Sequence, residues 1–238
     1  MERRQQPADG AEGAVLSVVL QRYGLIPALL AVALLCVAAP GARAQGADQR
    51  RFAVELRLIA GDLRRLNEET LAVRHQAGLR DRLVGSLGYL GLLAREANQA
   101  SGSVDPQLAG DLTGLRRAFD QQDRAAMAPP LARLLARYPL AITDFELNPD
   151  ADPARLAMGR DIDQRLCMGC HLAPDPAAAN PARDLYADAR RMTREEFVAR
   201  LMGGVRGVPA TMLVNPLSDE ELRGLYAVSY THLRAHET

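Results

Sequence analysis

The chain has 238 residues, 48% of them apolar, 24% charged and only 4% aromatic, with no tryptophan and a formal net charge of zero. This composition excludes a collagen-like, disulfide-dense or disordered chain, and the balanced charge argues against a nucleic-acid partner, which would need a basic surface. Every one of the 29 basic residues is an arginine, a bias that carries no functional signal.

The N-terminus reads as a secretory signal. Arg3, Arg4 and Arg22 precede an apolar run over residues 25–39, and Pro40 is followed by Ala42, Arg43 and Ala44, a small-x-small cleavage pattern. The expectation is a signal over residues 1–44 cut after Ala44, and therefore a periplasmic or otherwise exported protein. A spanning helix needs about 20 apolar residues, so the run is short for one. The alternative is an uncleaved N-terminal anchor lengthened by residues 14–20, the only membrane contact the sequence suggests. Cys36 follows Leu35 rather than a small residue, so lipidation is not expected.

Residues 45–138 show helical period throughout. Phe52, Leu56, Ile59, Leu63 and Leu66 form one stripe, and Leu79, Leu83, Leu87, Leu90 and Ala94 a second. Leu108, Leu112, Leu115 and Phe119 form a third, and Leu131, Leu134, Leu135 and Tyr138 a fourth after Pro129 and Pro130. Gly78, residues 101–103, an Asp105 and Pro106 cap, and residues 120–123 punctuate them. Short-looped amphipathic helices predict an antiparallel helical bundle. His75 is expected near the end of the first helix, where a cation suits the helix dipole. His75 and Met127 are the only soft donors in this region that could ligate a metal-bearing cofactor, and a structural or docking role is the plainer expectation. Residues 139–151 lack clear helical period, carry Pro139, Asn148 and Pro149, and are expected to be a linker.

The decisive motif lies at Cys167, Met168, Gly169, Cys170 and His171. C-x-x-C-H is the attachment signature of c-type haem. Two thiols three apart on a helical turn lie on one face, where each can add to a haem vinyl group, and the next residue brings an imidazole under the iron. A chance match in a chain of this composition is expected about six times in ten thousand. A thioredoxin-like pair would want a βαβ context, and the surroundings are helical. A structural zinc site needs four ligands, and besides the motif only the distant His75 remains once the C-terminal tail is set aside. A plain disulfide between Cys167 and Cys170 remains open.

The flanks predict short helices. Asp152 and Pro153 read as an N-cap followed by proline at the first helical position. Thr193 with Glu196, and Ser218 with Glu221, read as capping boxes, and Gly203 and Gly204 as a helix stop. Proline-rich loops are expected over 174–181 and 208–216. From about Asp152 to Ala227 the chain resembles the class I cytochrome c family. The resemblance rests on Cys167 to His171, on Gly207, Val208, Pro209, Ala210, Thr211 and Met212, and on the helix start at 217–222. It implies an all-α chain in which the N-terminal bundle is followed by a small class I cytochrome c haem domain. The implied cofactor is one haem c per chain, with Met212 as the sixth iron ligand. It also implies that the last helix packs across the first. Leu213 follows Met212 where the family commonly has proline.

The distal ligand also follows from the residues. A flexible thioether can reach iron from a loop, and His/Met ligation raises the reduction potential. Met192, Met202 and Met212 lie downstream of the motif. Met192 abuts a helix cap, Met202 is expected in a helical core, and Met212 lies in an extended loop, so Met212 is favoured. Met168 cannot turn back onto the iron. The second nitrogen of His171 is expected to be hydrogen-bonded, since such contacts orient a ligating imidazole. The resemblance implies a backbone carbonyl near Pro174 or Pro181.

Residues 228–238, which include His232 and His236, read as the translation of a sequencing-library adapter, so the last helix is expected to break off at Ala227. The functional expectation is an exported monohaem cytochrome carrying single electrons between redox partner proteins, without catalysis, because a six-coordinate iron leaves no substrate position. A haem-bearing subunit of a larger periplasmic oxidoreductase and a haem-based gas sensor are the alternatives.

Overall fold

The computed structural model describes residues 45–68, 71–102, 104–146, 152–204 and 215–235. These are helices and connections with no strand among them, so the chain is all-α. The expected signal over 1–44 and the loop carrying Met212 lie outside the described residues.

Helix α1, Ala47–Leu66, is the centre of the molecule. It is buried on every side from Phe52 to Leu63, the pattern of a helix with neighbours all round rather than on one face. The predicted stripe of Phe52, Leu56, Ile59, Leu63 and Leu66 enters a first core with α2, Val73–Ser101, α3, Leu108–Asp120, and α4, Arg124–Arg137. Phe52 meets Tyr138 edge to face with ring centroids 4.7 Å apart. The opposite face, Ala53, Val54 and Leu58, enters a second core with residues from the C-terminal half.

Two buried polar residues of this central helix, Asp62 and Arg57, are paired across it. Asp62 receives Arg82 of α2 at 2.6 and 2.7 Å and Arg200 at 3.2 Å. Arg57 donates to the carbonyls of Tyr138 at 2.6 Å and Leu135 at 3.3 Å, closing the C-terminal end of α4. Burial pulls this guanidinium below its ordinary value, and Glu195 offsets part of the shift.

The turn between α1 and α2 corrects the sequence reading. α1 stops at Leu66 with Asn67 as its C-cap, and α2 begins at Val73. His75 therefore stands in the first turn of the second helix, where the dipole disfavours a cation. Gly78 lies inside α2, not at a break, and the Ala179 carbonyl stands where its Cβ would be, so the small residue serves close packing. α4 starts before its proline pair, at Arg124, because Asp123 caps it by accepting from the Ala126 amide at 2.9 Å. The preceding turn is closed by Gln122, which adopts a positive φ of 57°.

Residues 139–146 do more than link. Leu140, Ile142 and Phe145 are buried in the second core, and Thr143–Glu146 forms a short helix α5. Few residues there are periodic, but Leu140, Ile142 and Phe145 share that core with residues of α1 and the C-terminal helices. From Gln45 onward the chain clusters as one unit.

Asp152 caps α6, Pro153–Ile162, by accepting from the amides of Ala154 and Arg155. The helix continues through a π-helical turn, Asp163–Cys167, into α7, Met168–His171. The sequence showed no signal for α8, Leu185–Arg191, which is capped by Asp184. α9, Arg194–Gly203, begins at the predicted Thr193 cap and ends at Gly204, whose φ is 71°. Only half of its box forms, because Glu196 turns away to Arg64 and Arg200. The box at α10, Asp219–Ala235, is reciprocal: the Ser218 amide donates to Glu221 at 2.7 Å and the Glu221 amide to Ser218 Oγ at 3.3 Å. α10 does not break at Ala227. It continues to Ala235, with Val228 buried and Tyr230 packed against Phe197.

Candidate functional site

The cysteine and histidine motif occupies the end of the α6–α7 helix. Asp152 starts that helix, and its middle is held by α10. The two helices touch at Gly159 and Gly224. A Cβ at Gly159 would land on the Gly224 carbonyl, and one at Gly224 would stand 3.0 Å from the Arg155 carbonyl. Arg155 binds Glu220 at 2.6 Å beside this contact. The widened turn that follows contains Asp163, only 6% exposed, whose Oδ2 accepts the Tyr186 hydroxyl at 2.6 Å. Burial and this bond push the Tyr186 phenol well above its ordinary value. The turn is thereby tied to α8.

Cys167 and Cys170 are free thiols. Cys167 is half-buried, and its thiol is pushed up to about 11 by burial, then by Asp163 and Cys170. Cys170 is exposed. Next to them, Leu166 and Leu172 are 62% and 63% exposed, a large apolar surface immediately flanking the motif.

His171 is oriented by its backbone neighbour. Its Nδ1–H donates to the Arg183 carbonyl, which fixes the ring and leaves Nε2 as the available donor atom. This matches the expectation of a carbonyl acceptor in the following loop, two residues beyond Pro181. The acceptor is itself held. Arg183 Nε lies 2.8 and 2.9 Å from the two Asp188 oxygens, and Asp184 accepts the amides of Tyr186 and Ala187 at 2.8 and 3.0 Å.

Helix α2 supports the loop from behind. Asn180 donates to the Gly78 carbonyl at 2.9 Å, Arg74 donates to the Pro176 carbonyl, and Ala179 packs on Gly78. The N-terminal helices thus buttress the segment that orients His171. Arg183, Asp188 and Asn180 carry no sequence signal for this role, because the group that meets the imidazole is a main-chain oxygen.

The other predicted donors are distributed as follows. Met127 is buried in the first core, and Met192 and Met202 pack against the second. Met168 is half-buried within the motif. Met212 lies outside the described residues. Among the described residues no three His, Cys, Asp or Glu side chains converge as a metal cluster, so the donors on hand are two thiols and one imidazole at a helix end. Those donors are of the kind that would hold a covalent haem, with His171 available to ligate its iron. Two cavities, of about 630 and 450 Å³, lie elsewhere and are not lined by Cys167, Cys170 or His171.

Comparison with protein-family models, curated proteins and solved structures gives no match to this chain.

Proposed function

We propose that the protein is an exported monohaem c-type cytochrome that carries single electrons between redox partner proteins. The observation that carries this reading is the His171 imidazole held by the Arg183 carbonyl at the end of a helix that also bears Cys167 and Cys170. A disulfide gives no reason for an oriented imidazole with one free nitrogen, whereas a metal ligand does, and a structural zinc site needs four ligands, one more than Cys167, Cys170 and His171 supply.

In this reading Cys167 and Cys170 would hold the haem as thioethers, and His171, through Nε2, and Met212 would ligate its iron. When bound, one haem c per chain would supply a one-electron couple. The α6–α10 crossing at Gly159 and Gly224 corresponds to the packing of last helix on first that a class I cytochrome c domain has, and the helices of residues 45–138 act as its supporting bundle. The exposed Leu166 and Leu172 border the haem-bearing face. The signal-like residues 1–44 support export to the periplasm or an equivalent compartment, where covalent attachment would keep the haem from being lost.

The test is expression in a host with cytochrome c maturation, followed by a pyridine haemochrome spectrum. One c-type haem per chain is expected, resistant to acid–organic extraction. In Cys167→Ser with Cys170→Ser, the haem is expected to be absent or extractable. Wild-type protein without covalent haem overturns the proposal.

A further inference from the structure

A cavity of about 450 Å³ lies between the end of α1, the turn at Arg183 and Asp184, and helices α8 and α9. Arg64, Arg65, Arg183 and Arg191 line it, together with Glu68, Asp184, Asp188 and Glu196. The formal charges balance, but the pairing does not. Glu196 is taken by Arg64 and Arg200, and Asp188 by Arg183. Asp184 is committed to the first amides of α8. Two cations, Arg65 and Arg191, are left with one carboxylate, Glu68, which is exposed and forms no ion pair with either among the described residues.

Arg65 is the telling group. Its Nε is removed from solvent and has no hydrogen-bond partner. The carboxylate that attracts it, Asp62, is already shared by Arg82 and Arg200. The guanidiniums of Arg183, Arg82 and Arg200 add repulsion to the burial, and the group is pulled down to about 10. A half-buried guanidinium without a partner is costly, since desolvation is not repaid by pairing. The cavity wall thus carries two unpaired guanidiniums against one unpaired carboxylate, Glu68.

We propose that this cavity binds a small oxyanion such as inorganic phosphate, with Arg65 as its principal partner and Arg191 at its mouth. A planar guanidinium presents parallel N–H donors matched to phosphate, sulfate or carboxylate oxygens. The inference is independent of the haem proposal and is tested by a readout that needs no colour.

The experiment is calorimetric titration of the full chain with sodium phosphate at constant ionic strength, balanced with chloride. Saturable binding is expected. Arg65→Gln should weaken it about ten-fold or more, while Arg95→Gln on the exposed side of α2 leaves it unchanged. In phosphate-free buffer Arg65→Met should unfold at a higher temperature than wild type, and saturating phosphate should erase that gain. If Arg65→Gln does not fold, Arg191→Gln takes its place and should bind several-fold more weakly. Phosphate binding no stronger than that of chloride, binding unchanged in the folded variant, or a destabilised Arg65→Met in phosphate-free buffer each overturns the proposal. A haem propionate has the same carboxylate chemistry. Equal titration of the haem-bearing chain and of Cys167→Ser with Cys170→Ser supports a free anion. Titration only in the haem-free chain assigns the site to a propionate and overturns the free-anion site.

Discussion

Gly159 and Gly224 stand backbone to backbone where α6 crosses α10, with the Gly224 Cβ position 3.2 Å from Gly159 Cα. This contact sets how the motif-bearing helix lies against the last helix. Gly159→Leu puts a side chain on a carbonyl that belongs to the partner backbone and cannot rotate aside. Overpacking of this kind costs about 1–3 kcal/mol and occasionally more, and the upper end is expected. A urea midpoint equal to wild type would show that the crossing is looser than described.

Asp188 positions the carbonyl that receives His171 by holding the Nε and Nη2 edge of the Arg183 guanidinium. Asp188 is 5% exposed and Arg183 about a quarter exposed, so Asp188→Ala strands a partly buried cation. The expected loss is about 1–3 kcal/mol. The His171 Nδ1 proton, followed by NMR, should also exchange faster with solvent. Loss of stability with unchanged proton exchange would make Asp188 structural only.

If Met212 is the sixth ligand, Met212→Ala converts a low-spin ferric spectrum to a high-spin one. Met192→Leu and Met202→Leu should leave it low-spin, because both side chains pack against the second core. A low-spin spectrum in Met212→Ala assigns the ligand elsewhere.

The acid limb of stability should pass through Asp111 and Asp105. Hydrogen bonds from Arg133 and then Arg137 hold Asp111 below its ordinary value of 3.8 despite burial. The hydrogen bonds from the Gln107 amide, Tyr138 and Arg137 lower Asp105 against its desolvation. Folded values below unfolded ones give a contribution fully present above 3.8 and lost as pH falls through the folded values. Denaturation midpoints should therefore fall between about pH 5 and about pH 2, with a shallower slope in Arg137→Met. Identical slopes in the two proteins would contradict this.

Tyr138 sets the alkaline limb. Burial and its bond to Asp105 push the phenol from 10.0 up to about 12. Its contribution is complete below pH 10.0 and disappears as pH rises to about 12. Tyr138→Phe should flatten the stability profile over that interval, and an unaltered profile would remove Tyr138 from the account.

Local chemistry in the sequence identified much of the molecule. Asp152, Thr193 and Ser218 cap helices within a residue or two of themselves, so their neighbours are enough to read them. Apolar stripes located α1 to α4 for the same reason, and C-x-x-C-H is a contiguous constellation that needs no fold to be recognised. What depended on distant partners was not legible. His75 changed helices because α1 stops at Leu66. Residues 139–146 became core because α1 has two apolar faces to cover, and α8 formed around a cap with no periodic stripe behind it. The acceptor for His171 is a main-chain oxygen, and every residue has one. Only the folding of the 172–184 loop onto α2 selects Arg183, because hydrogen bonding between segments distant in sequence is settled by tertiary geometry, not by residue type.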